Sequence, residues 1–129
     1  MIASISHWIA CLVGAWLVGI SLFMAVAPRR ALSALGAMGG TNTVHFGEMA
    51  LRSTAGIAFI VAGPISRFPA EVAVVGWFLV ASAVVLVVLP RRWHAAYSQH
   101  WARHISVLTV RLLAPFSAAG GAVVIWTFT

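Results

Sequence analysis

Residues 44–63, VHFGEMALRSTAGIAFIVAG, constrain this chain more than any other stretch. The run is long and apolar enough to cross a bilayer, which takes about 20 residues. Yet it holds Glu48 and Arg52 one helical turn apart, and the whole chain has only 2 acidic residues. Charge at membrane depth is costly and is kept mainly where it is paired or used.

Composition extends the argument to the other segments. The chain is 62% hydrophobic and 8% charged, with a mean hydropathy of +1.02, too few charges to build a soluble surface. Four apolar segments stand out, at about residues 5–27, 44–63, 70–89 and 105–128. Barrel strands would alternate polar and apolar residues, and these runs are continuous. The expected fold is therefore all-α: one polytopic domain of four transmembrane helices in an antiparallel bundle. Ala25-Val26-Ala27 mimics a signal-peptidase site, but Pro28 follows it and no basic stretch precedes the apolar run, so the first segment reads as a retained helix.

The formal net charge of +6 comes from arginine alone, since the chain has no lysine. Most arginines lie between apolar segments, so they point to topology and anionic lipid rather than nucleic acid. Arg29 and Arg30 lie in the first connection, Arg91, Arg92 and Arg103 in the third, and Arg67 in the second. The positive-inside rule then puts the first and third connections in the cytoplasm and both termini outside, in a bacterial-type inner membrane. Residues 31–38 could form a short interfacial helix ended by Gly39-Gly40, and Thr41, Asn42 and Thr43 are all candidate caps for the helix that follows.

Residues 92–104 read as a second interfacial helix, just before the fourth span. A helical wheel gathers Trp93, Tyr97, His100, Trp101 and His104 on one face, an aromatic anchor at headgroup level. A further hint is duplication. Pro28-Arg29-Arg30 and Pro90-Arg91-Arg92 each close an apolar segment and precede a helix with an internal arginine, as a parallel repeat would.

Depth suggests a site. At about 1.5 Å per residue, Glu48, Arg52 and Arg111 lie roughly 6, 12 and 9 Å inside the cytoplasmic ends of their helices. Glu48 and Arg52 have the i, i+4 spacing of a facing pair, so a Glu48–Arg52–Arg111 cluster is expected, as a structural pair or a small anion or headgroup site. Pro115 frees the backbone carbonyl of Arg111. No metal site and no cofactor is expected: Cys11 is the only cysteine, and His45 and His94 share only the cytoplasmic side. No serine has an assignable histidine–acid partnership, so no enzymatic activity is expected. Small residues at four-residue spacing, such as Ala10/Gly14, Ala15/Gly19 and Ala114/Ala118/Ala122, with Ser117/Gly121 as a second face, favour close helix packing and docking on another membrane protein or a second copy.

PRRALSALGAMGG followed by EMALRSTAGIAF resembles small four-helix membrane proteins of the DoxX-like kind. The resemblance implies a four-helix bundle and no particular activity. Two function classes follow: a non-catalytic accessory, assembly or lipid-contacting subunit of a larger membrane complex, or a small oligomeric transporter or channel built on Glu48, Arg52 and Arg111.

Overall fold

A computed structural model describes residues 1–129 as a wholly helical chain. The elements are α1 (Ile2–Val26), α2 (Pro28–Gly36), α3 (Asn42–Ala62), a 3-10 turn (Gly63–Ile65), α4 (Pro69–Val88), α5 (Arg91–His104) and α6 (Val107–Phe128). Prolines set three of the junctions. Pro28 and Pro69 each occupy the first turn of a helix, where the missing N–H costs nothing, and Pro90 precedes α5. Of the three candidate caps, Thr41 takes the position: its hydroxyl accepts from the Val44 N–H at 3.1 Å. Ser106 does the same for Thr109 at the start of α6, also at 3.1 Å.

Three helices are long and apolar enough to cross a membrane: α1 and α4, each with mean hydropathy 2.4, and α6 at 1.7. The expected four apolar spans thus become three by this measure. α3 matches the others in length at 21 residues, but His45, Glu48, Arg52, Ser53 and Thr54 lie along it and dilute its apolar character. Both short helices that the connections suggested form, α2 starting three residues earlier than expected, at Pro28, and α5 at Arg91–His104.

The long helices stand in the order α6, α1, α3, α4, each packed on the next. α2 and α5 pack on one another, so the ends of α1 and α4 lie at the same end of the molecule together with Arg29, Arg30, Arg91, Arg92 and Arg103. The opposite end holds the apolar cluster Ala10, Phe59, Ala62, Val72 and Phe128. There the Arg67 N–H donates to Thr127 O at 3.1 Å and its Nε–H to Trp126 O at 3.0 Å, tying the second connection to the end of α6.

The duplication hinted at by the two Pro-Arg-Arg triplets extends into the packing. A Cβ placed on Gly14 of α1 would lie 2.8 Å from Gly121 O and 2.8 Å from the Ile125 side chain on α6. A Cβ on Gly76 of α4 would lie 2.9 Å from Gly56 O and 2.9 Å from the Ile60 side chain on α3. The reverse contacts match too: Gly121 faces Val18, and Gly56 faces Val80. Gly14/Gly76, Val18/Val80 and Pro28/Pro90 share one separation in the chain; Thr41/Ser106, Gly56/Gly121 and Ile60/Ile125 share a second. α1–α3 and α4–α6 are therefore two parallel copies of one plan, each long pair crossing backbone to backbone at a glycine.

The crossing predicts a contrast between neighbours. Gly121→Ala should destabilise the protein by about 1–3 kcal/mol through overpacking, since its Cβ would meet the Gly14 carbonyl and Val18. Gly120, whose Cβ would meet nothing within 4 Å, should accept alanine without loss. Thermal melting of the two variants in detergent compares them.

Candidate functional site

The first half of α3 faces α4 and α5, and its polar residues meet theirs. His45, the most deeply buried large side chain at 1% exposure, sits one turn before Glu48, and Glu48 one turn before Arg52. Opposite them, α5 supplies His94 and α4 supplies Ser82.

The contacts form a continuous file. His45 Nδ1 and His94 Nδ1 are 2.9 Å apart, and His94 Nε2 is 3.4 Å from Glu48 Oε2. Arg52 donates to Glu48 Oε1 at 2.6 Å and, through its other arm, to Ser82 Oγ at 3.1 Å. The Ser82 hydroxyl in turn donates to Leu79 O at 2.8 Å. One set of protons satisfies the histidine pair. If His94 carries its proton on Nε2, facing the carboxylate, its Nδ1 accepts from His45 Nδ1–H. Glu48 Oε2 is the single fully buried side-chain polar atom without a hydrogen bond, and the 3.4 Å approach of His94 is its nearest compensation.

The turn before α3 closes the file from one end. Gly39 adopts φ 71°, a left-handed conformation that favours glycine, and a Cβ there would come within 3.0 Å of His94 Nδ1. Arg91 donates to the Gly39 carbonyl at 2.8 Å. This turn therefore packs on α5 and seats His94. Burial pushes the His94 imidazole below its ordinary value; Glu48 pulls it back up, while His45 and Arg52 add to the lowering.

The expected cluster forms only in part. Glu48 and Arg52 pair as their spacing predicts, at 19% and 29% side-chain exposure. Arg111 does not join them, because α1 stands between α3 and α6. It is exposed instead, in a cleft with Arg29 and Arg30. Trp93, Tyr97, His100, Trp101 and His104 all lie on the exposed side of α5, with the His100 and His104 rings stacked 4.1 Å apart. The contact that sequence reasoning missed is His45–His94–Glu48. Its signal was the placement of both histidines on the same side of the chain, but only the packing of α5 on the turn at Gly39 joins them. The donor atoms meet in file, and no group of three His, Cys, Asp or Glu side chains converges as a metal ion needs.

Comparison of the chain with protein-family models, with curated proteins and with solved structures found no match.

Two outcomes follow. Glu48→Ala leaves Arg52 without its carboxylate acceptor and should cost about 2 kcal/mol, between the exposed and buried limits for ion pairs. Glu71→Ala, at an exposed position in the first turn of α4, should cost little in the same melting assay. The pH dependence has a definite sign. Because His94 is held below the ordinary imidazole value, the unfolded chain binds that proton first. Stability is complete above about pH 6.5 and falls as pH drops below it. Melting temperatures across this range should show the loss in the native protein and a flatter profile in His94→Gln.

Proposed function

We propose that this chain is a four-span integral membrane protein of a bacterial-type inner membrane, and a non-catalytic accessory, assembly or lipid-contacting subunit of a larger membrane complex. In this reading α3 is the fourth span of an antiparallel bundle, both termini lie outside, and the first and third connections are cytoplasmic. The position of α3 between α1 and α4 supports it, as does the gathering of five arginines at one end. The four-helix plan is also the one that the DoxX-like resemblance implies.

The observation that carries the accessory reading is how the internal charges are used. Glu48 and Arg52 bond to each other, Arg52 bonds to Ser82 on α4, and His94 of α5 lies 3.4 Å from the carboxylate, so most of their polar capacity goes into joining three helices. A second observation concerns the outer surface. The Ala15–Gly19 face of α1 points away from the bundle, and a Cβ on Gly19 would meet nothing within 4 Å. That small-residue face is left over after the bundle has packed and suits a partner helix or a second copy. The transporter reading draws on the residual exposure of Glu48 and Arg52, without Arg111.

Purification in a gentle detergent should bring down a defined membrane partner, and Gly19→Leu should weaken that association while leaving the melting temperature unchanged. In reconstituted vesicles, solute and ion flux should be the same for the native protein and Arg52→Ala. Flux that depends on Arg52 would favour the transporter instead.

A further inference from the structure

Eight arginines face two acids in this chain, and the structure spends those acids far from most of the arginines. Glu48 is bound by Arg52, and Glu71 lies at the end of the molecule opposite α2 and α5. Arg67 and Arg91 find backbone carbonyls at Trp126 and Gly39. Arg29, Arg30 and Arg111 have neither an ion pair nor a side-chain hydrogen bond, and all three line one cleft of about 400 Å³ with Val26, Ala27, Pro28 and Val107.

The backbone adds to this field. α2 and α6 both begin beside the cleft, so the positive ends of two helices meet there. The first helical bond of α2 comes from Ala31 N–H, which leaves the N–H groups of Arg29 and Arg30, both in the cleft lining, without an acceptor. The duplicated plan supplies an internal control. The residue that corresponds to Arg111 in the other half is Phe46, and the counterpart of Arg29 is Arg91, already bonded to Gly39. Arg30 alone keeps an unpaired counterpart, Arg92, so three unpaired guanidinium groups gather at one of two like-built corners.

We propose that this cleft binds the phosphate of an acidic phospholipid headgroup. Guanidinium forks and free helix N–H groups are matched to phosphate oxygens. The apolar members of the lining, Val26 and Val107, belong to the ends of α1 and α6, two helices apolar enough to cross a membrane. A phosphodiester bound there would run its acyl chains along their exposed outer faces. Free phosphate shares the headgroup chemistry but gains nothing from that apolar flank. The inference rests on the membrane-embedded reading above.

Native mass spectrometry of the detergent-purified protein tests it, with phosphatidylglycerol, phosphatidylcholine and inorganic phosphate as probes. The native protein should retain phosphatidylglycerol over phosphatidylcholine, and inorganic phosphate should not displace it. Each of Arg29→Gln, Arg30→Gln and Arg111→Gln should weaken retention about fivefold, the effect of one arginine near an anionic surface. The double variant Arg92→Gln/Arg103→Gln, which removes two arginines outside the cleft, should not. Equal loss in that double variant, or displacement by inorganic phosphate, overturns the lipid site. All of these side chains are exposed, so melting temperatures should be unchanged and the loss attributable to binding. Protein that stays in solution without detergent would instead overturn the membrane reading itself.

Discussion

Two backbone crossings organise this molecule. At Gly14 with Gly121, and at Gly56 with Gly76, helix backbones approach so closely that a single methyl group would collide with a carbonyl oxygen. Where lipid surrounds the helices, no hydrophobic force drives them together, and close packing of small residues must hold them instead. The rest of the arrangement follows from these pairs. α1 with α6 and α3 with α4 form two tight couples, α1 joins them through α3, and the short helices α2 and α5 meet where α1 and α4 end.

The couples are alike in backbone and unlike in chemistry. In one, α3 and α4 carry Glu48, Arg52 and Ser82, and α5 adds His94 to complete a file that begins at His45. In the other, Gly121 and Ser117 supply the contacts, the Ser117 hydroxyl donating to Leu17 O at 2.9 Å. A repeated scaffold needs its crossings preserved, and both glycine pairs are. The polar positions are under no such packing constraint, and they form a polar file on one side and an open arginine cleft on the other.

Burial determines which charges are available. A carboxylate placed among apolar helices needs acceptor-satisfying partners, and Glu48 draws in Arg52 on its own helix and His94 from α5. That leaves no acid for the arginines at the ends of α1 and α6. The surplus of positive charge is visible in the composition, but its concentration in one corner depends on which helices are neighbours.

The sequence by itself determined the helical class, the bounds of the four long helices to within a few residues, the Glu48–Arg52 pair and the outward aromatic face of α5. These depend on local quantities: hydropathy summed along a run, the i, i+4 spacing of a helix, and the angular positions of residues around its axis. The two Pro-Arg-Arg triplets gave a hint of a repeat, which the matched glycine contacts extend. The tertiary structure decided what pairs across helices. It placed α1 between α3 and α6, which parts Arg111 from Glu48, and it folded the turn at Gly39 onto α5, which brings His94 to His45. Equal depth along two helices says nothing about which faces they turn to each other. The glycine crossings set two of the neighbour pairs, and Ala10 of α1 against Phe59 and Ala62 of α3 joins them, all through residues far apart in the chain.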